Sequence, residues 1–222
     1  GRTVRALVVG ASGGIGGALV AALQGRGEVV GLSRHGDGLD VTDEAAVAAA
    51  LGALTGAFDL VIVATGALVL DGQGPEKSVK AVTAEGLAAQ FAVNAIGPAL
   101  VIKHALRLLP RDRVARLAVL SARVGSIGDN ALGGWYGYRA AKAALNQLVH
   151  TAAIEASRTH PQSVLVALHP GTVETALAPV QRAGHPAMAP ATAAGHLLDV
   201  LDGLGPGDSG GFYDWQGKPV PW

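Results

Sequence analysis

Tyr138 and Lys142, in the run Tyr138-Arg-Ala-Ala-Lys142, stand four residues apart. On a helix that spacing puts both side chains on one face, one turn from each other. A phenol titrates near about 10 and is a poor acid at neutral pH, and a neighbouring ammonium favours its ionised form. Such a pair can hand a proton to a carbonyl oxygen while hydride arrives from a carrier, or take one back in the reverse direction. The spacing alone also arises by coincidence, so the chemistry must be argued together with other residues.

Gly10-Ala11-Ser12-Gly13-Gly14-Ile15-Gly16 supplies the first of them. Gly10 permits a tight turn, Gly14 lets backbone approach a pyrophosphate, Gly16 lets helix and strand pack closely, and the free N–H groups of a helix start face the anion. An ordinary flexible turn would use similar residues; the place of this one between a first strand and a first helix favours dinucleotide binding. Where an NAD site puts a carboxylate on the ribose 2′-hydroxyl, after the second strand, the chain has Ser33 and Arg34. An arginine there suits a 2′-phosphate, so NADP(H) is preferred and NAD(H) remains possible. Arg34 also reads as a plain surface-turn residue. Asp40, in Leu39-Asp40-Val41-Thr42, would lie near an adenine, or would share with Thr42 and Asp43 the capping of the next helix.

The elements that must position these residues alternate. Thr3 to Val9 is a strand-like run, Ile15 to Gln24 has helical spacing, and Glu28 to Leu32 is again strand-like before a polar turn, Ser33-Arg34-His35-Gly36. A helix around Asp43 to Leu54, a strand Asp59 to Val63, a long helix Ala84 to Leu109 and a strand Val114 to Leu120 follow. A helix Tyr136 to Ser157, a strand Val164 to Leu168, a helix Ala191 to Leu201 and a strand near Phe212 complete the order. Strands apolar along their whole length, such as Leu60-Val-Ile-Val63, belong in a sheet covered on both faces. The expected fold class is α/β: a single-domain Rossmann fold over residues 1–222, with a doubly wound parallel sheet of about seven strands flanked by helices. Every motif then falls just after a strand or on the helix behind one.

Composition removes several function classes. Seventeen basic and 17 acidic side chains cancel, and no basic tract offers a nucleic-acid footprint, so no nucleic acid is expected as a partner. With no cysteine, disulfide and thiolate-zinc chemistry are excluded, and the seven histidines form neither HExxH nor a close pair, so no metal is expected. Ala6 to Gly25 carries no charge and is about long enough to cross a bilayer. The glycines at its middle fit a strand-turn-helix unit far better than a lipid-exposed helix, so no membrane and a cytoplasmic location are expected.

Together these features resemble the short-chain dehydrogenase/reductase family over essentially the whole chain. The glycine loop, Asp40-Val41, Asn94 in Val93-Asn94-Ala95, Tyr138 with Lys142, and Pro170-Gly171-Thr172-Val173-Glu174-Thr175 stand in family order. Ser121-Ala-Arg-Val-Gly-Ser-Ile-Gly-Asp-Asn130 and Gly133-Gly-Trp-Tyr-Gly-Tyr-Arg-Ala-Ala-Lys142 are similar to the C-factor-like and sniffer carbonyl-reductase branch. The resemblance implies that Lys142 also holds a nicotinamide ribose, that Asn94 supports a water-linked proton relay, and that Ala64, Thr65 and Gly66 line the cofactor. It implies as well that Pro170, Gly171, Thr172, Val173 and Thr175 meet the nicotinamide and begin a substrate-covering loop at about 175–190, and that the protein forms a homodimer or homotetramer. Asn94 has a competing role, satisfying backbone groups at a helix kink made by Pro98.

Two departures bear on the expectation. The family's Asn-Asn-Ala-Gly after the fourth strand is Val63-Ala64-Thr65-Gly66 here, so the amide that braces the central strands must be replaced by another contact. Aligned on Gly125, the catalytic serine's place is Ala122; Ser121 and Ser126 flank it, and either hydroxyl could be recruited to polarise a carbonyl. The function implied is NADP(H)-dependent interconversion of a carbonyl and an alcohol on a small, largely apolar substrate. The alternative is an NADP(H)-binding signalling protein with little or no turnover.

Overall fold

The computed structural model describes residues 3–174 and 186–222. Strand β1 (Val4–Val9), helix α1 (Gly14–Gln24) and strand β2 (Gly27–Leu32) form the opening unit. One-turn α2 (Arg34–Asp37) and α3 (Glu44–Gly52) lead to β3 (Leu60–Val63). Then come α4 (Ala84–Phe91), a π-helical segment Ala92–Ile96, α5 (Gly97–Ala105) and β4 (Ala115–Leu120). The chain continues through α6 (Tyr136–Thr159), β5 (Ser163–His169), α7 (Pro190–Asp202) and β6 (Phe212–Asp214).

The strands make one parallel sheet in the order β2-β1-β3-β4-β5-β6. The chain moves outward from β1 to β2 and then crosses back to β3, so the order reverses beside β1, where such sheets bind ligands at their carboxyl ends. Alternation along each strand divides the core in two. Leu7, Val9, Val61, Val63 and Leu117 face α3, α5 and α6 through Val47, Leu51, Val101, Leu145 and Val149. Ala6, Val8, Ile62, Ala118 and Val166 face α1 and α7 through Leu19, Leu23, Leu197 and Leu201. Both faces are covered, which is why the strands are apolar throughout.

The sheet has six strands among the described residues, not about seven. Beyond β2, Leu39-Asp40-Val41 adds no strand. A parallel neighbour needs a crossover of a dozen or more residues, and only residues 33–38 separate β2 from Leu39. That stretch closes a single helical turn, so the expected polar turn is α2 instead. The segment 6–25 divides into β1, the glycine turn and α1, with Leu7, Val8 and Leu19 fully buried in protein. By length and composition the helical stretch Ala84–Leu108 could also span a bilayer. It is broken by the π-helical segment and packs on α3 and α6, burying Val101, Ile102 and Ala105.

Candidate active site

The glycine turn shows a different constraint at each position. Gly10 has φ +90°, and a Cβ there would come within 2.8 Å of the Ala64 carbonyl oxygen. Gly13 and Gly14 are also at positive φ, but a Cβ on either would meet nothing within 4 Å, so this stretch presents open backbone. A Cβ on Gly16 would lie 1.8 Å from the Gly10 carbonyl oxygen, so α1 and β1 approach only because this residue has no side chain. No side chain caps the N-terminus of α1, which leaves the helix start, between Ser12 and Ile15, without the internal partner that would compete with an anion. Gly16→Ala should therefore cost several kcal/mol, about 3 or more, by forcing helix from strand. A urea titration with an unchanged midpoint would contradict that packing.

Beyond β2, Ser33 caps α2, its Oγ accepting from Gly36 N–H at 2.9 Å. The Arg34 side chain is 74% exposed and stands 4.0 Å from Asp40, so its guanidinium is held loosely enough to turn toward an anion. Asp40 does not cap α3; Asp43 does, accepting from Ala45 N–H. Asp40 accepts instead from the Thr42 hydroxyl and amide, which with Arg34 nearby hold its carboxyl below the usual range. Val41 packs against Gly97, where a Cβ would come within 2.7 Å of its Cγ2.

Tyr138 and Lys142 occupy the first two turns of α6. Lys142 is 3% exposed, its Nζ donates to the Leu120 carbonyl at 3.2 Å, and it stands 5.7 Å from the centre of the Tyr138 ring. Burial pushes the Lys142 ammonium down from 10.5 to about 8. A Cβ on Gly66 would lie 2.9 Å from Asn94 Oδ1 and 3.2 Å from Lys142 Nζ, so Gly66 keeps open the space that the amide and the ammonium share.

Asn94 lies within the π-helical segment, fully buried. The backbone it satisfies is not that of its own kinked helix: Oδ1 accepts from Ala67 N–H at 3.0 Å and Nδ2 donates to Ala67 C=O at 2.9 Å. Nδ2 also donates to Gln90 Oε1 at 2.7 Å, and Gln90 Nε2 donates to the Leu68 carbonyl. Two buried amides one turn apart thus brace the connection after β3. At the strand ends themselves, Ala64 N–H bonds the Val9 carbonyl, and Thr65 Oγ1 is buried without a hydrogen-bond partner among the described residues.

The two serines differ: Ser121 donates, and Ser126 accepts. Ser121 Oγ donates its single proton to Asn146 Oδ1 at 2.7 Å, on the α6 side of the sheet, and Ser126 Oγ, 1% exposed, accepts from Asp129 N–H. Ala122, extended at φ −149°, follows Ser121 and so projects its methyl to the other side. After β5, Gly171 has φ +81° with Met188 and Trp215 against it, and Thr172 and Glu174 exchange backbone bonds with Met188. Pro170 and Val173 lie in this stretch, Val173 bridging to Met188. Thr175 and most of the expected 175–190 loop lie outside the described residues. Glu76, Gln90 and Trp135, which contact Gly137, Asn94 and Tyr138 respectively, were not singled out by the sequence; a glutamine four residues before Asn94 was the one signal available for Gln90.

Residues 32–200 match a family described as Enoyl-(Acyl carrier protein) reductase. The C-signal protein of Myxococcus xanthus is 39% identical over 61% of this chain and 78% of its own. The 1-hydroxy-2-glutathionyl-2-methyl-3-butene dehydrogenase of Rhodococcus sp. (strain AD45) is 32% identical over 97% of this chain and 98% of its own. Among solved structures, a Burkholderia multivorans chain described as a short-chain dehydrogenase/reductase with bound NADP superposes with TM-score 0.83 at 28% identity, covering both chains fully. The carbonyl reductase Sniffer of D. melanogaster has the same TM-score at 20% identity and so shares the fold. A relative aligned along nearly the full length of both chains, and a family match running from the end of β2 into α7, fix the ancestry: the chain belongs to the short-chain dehydrogenase/reductase family of oxidoreductases.

Proposed function

We propose that the protein is an NADP(H)-dependent oxidoreductase that interconverts a carbonyl and an alcohol on a small, largely apolar substrate. The observation that carries this reading is the meeting of Tyr138, Lys142, Asn94 and Gly66 at the carboxyl ends of β3 and β4, one strand from the glycine turn.

The residues fit the dinucleotide. Gly13 and Gly14 leave open backbone at the start of α1, the Thr65 hydroxyl lacks a partner among the described residues, and Arg34 is exposed where a 2′-phosphate would need a cation. Gly10 to Gly16 would hold the pyrophosphate, Ser33 and Arg34 the 2′-phosphate, and Asp40 and Val41 the adenine. Ala64 to Gly66, Asn94, Tyr138 and Lys142 would hold the nicotinamide ribose, and Pro170 to Val173 the carboxamide. NADP bound by the Burkholderia relative supports this choice over NAD. When bound, NADPH supplies the hydride.

The chain's own residues manage the proton. Tyr138 donates it to the carbonyl oxygen as the hydride reaches carbon, giving the alcohol, and accepts it in reverse. Lys142 favours the resulting phenolate through its charge, and Asn94 fixes the floor of the site by holding Ala67. The exposed side chains of Val69, Ile127 and Leu132, on the connections after β3 and β4, add apolar surface to those connections. Exposed Ile96, Leu148 and Ile154 on the helical faces around α6 fit a homodimer or homotetramer.

The test is NADPH oxidation by purified protein across a panel of aldehydes and ketones; no oxidation with any of them would sink the reading. The hydroxyl that would polarise the substrate is missing at Ala122, Ser121 gives its proton to Asn146 and Ser126 is buried, so turnover should be slow for the fold. Ala122→Ser should raise kcat by about tenfold to a hundredfold. If it has no effect, another donor already serves the carbonyl. The same alanine favours the second reading, a cofactor-binding signalling protein: there NADPH would raise Tm while Tyr138 stayed dispensable for the biological output.

A further inference from the structure

We propose that Glu76 is a positioning residue: reaching from the connection between β3 and α4, it holds the first turn of α6, and therefore Tyr138, in register with Lys142. The proposal rests on the catalytic reading of Tyr138 given above.

Helix α6 runs 24 residues yet has no side-chain cap of its own. Its N-cap is Trp135, in the left-handed region at φ 56°, ψ 42°. A bulky residue rarely sits there, and the conformation persists only where the surroundings enforce it. Glu76 is what surrounds it. The Trp135 amide donates to the Glu76 carbonyl, and the Gly137 amide donates to Glu76 Oε2 at 3.0 Å. One residue, 61 positions away from Gly137, thus takes an amide on each side of Tyr136 and supplies the carboxylate that a long helix favours at its positive end.

The fit is specific. A Cβ on Gly137 would lie 2.9 Å from Glu76 Oε1 and 3.0 Å from Gln90 Cγ, so the carboxylate occupies room that only glycine leaves. Arg139 closes the other side, donating to the carbonyls of Gly133 and Gly134. The Trp135 ring then meets Tyr138 edge-on, centroids 6.2 Å apart. The same connection that carries Glu76 includes Gly66 and is pinned by Asn94 and Gln90. A single segment therefore sets the floor beneath Lys142 at one end and the helix start before Tyr138 at the other.

Glu76→Ala, Glu76→Gln and Glu76→Asp would be compared with the wild-type protein. With NADPH and a carbonyl that the wild type reduces, the alanine variant should lose about thirtyfold or more in kcat, while its KM for NADPH and its cofactor-induced rise in Tm stay within about twofold. Glutamine, which can still accept from Gly137, should recover kcat to within about threefold of wild type. Exchange of the Gly137 amide should be fast in the alanine variant and slow again with glutamine, a readout that needs no turnover. Wild-type kcat in the alanine variant overturns the proposal, as does a glutamine variant that restores slow exchange but not kcat. Should the alanine variant fail to fold, the aspartate variant, one methylene short at the same charge, carries the test, and full kcat in it overturns the proposal. A wild type inert toward every carbonyl refutes the catalytic reading itself, and slow Gly137 exchange persisting in the alanine variant refutes the Glu76 contact whichever way turnover falls.

Discussion

Tyr138→Phe is expected to abolish carbonyl reduction, lowering kcat by about a thousandfold or more, because it deletes the one proton that the site delivers to the substrate oxygen. The ring itself is retained, so the edge-on packing against Trp135 and the placement of α6 should survive. Binding of NADPH should survive too: the cofactor-induced rise in Tm stays, since most of the dinucleotide's expected contacts lie on the glycine turn, α2 and the strand ends. The diagnostic is this split between intact binding and lost turnover. A phenylalanine variant that reduces the same carbonyls at the wild-type rate would remove Tyr138 from the chemistry and leave the second reading in place.

Much of this arrangement could be read before any coordinates, and for physical reasons. Runs such as Ala6-Leu-Val-Val9 and Leu60-Val-Ile-Val63 are apolar on both sides, and only a sheet covered on both faces accepts them. Gly16 was legible because a helix packed on the preceding strand leaves no room for a Cβ. Tyr138 and Lys142 were legible because helical spacing is local. What escaped depends on contacts that no spacing encodes. Glu76 meets Gly137 from 61 residues away, and Ser121 spends its proton on Asn146, which lies 25 residues on. Asn94 carried two expected roles, a water-linked relay and the satisfaction of backbone at its own kink; the backbone it meets is that of Ala67, 27 residues back. The count of about seven strands exceeded the six strand-like runs that the sequence itself delineates, and among the described residues six form.

Lys142→Met should abolish turnover and yet stabilise the cofactor-free protein at neutral pH. The ammonium is 3% exposed and burial lowers it from 10.5 to about 8, a difference of about 2.5 units or about 3 kcal/mol at 1.36 kcal/mol per unit. The sign follows from proton binding. Below about pH 8 folded and unfolded chains are both protonated and the full cost of burying the charge is present. Between about 8 and 10.5 the unfolded chain keeps a proton that the folded one has shed, so wild-type stability rises with pH through that window. Methionine removes the titration and fills similar volume, but leaves the Leu120 carbonyl without its donor, which offsets about 1 kcal/mol or more. A net gain of about 1–2 kcal/mol at pH 7, shrinking toward zero or reversing by about pH 10, is the expected urea-denaturation result. In the wild type, kcat/KM for reduction should fall as pH passes about 8, because the charge that favours the phenolate is lost there. A methionine variant less stable than wild type by the same margin at both pH values would mean that the buried ammonium is not strained by its surroundings. The lysine's placement would then owe nothing to function at the expense of the fold.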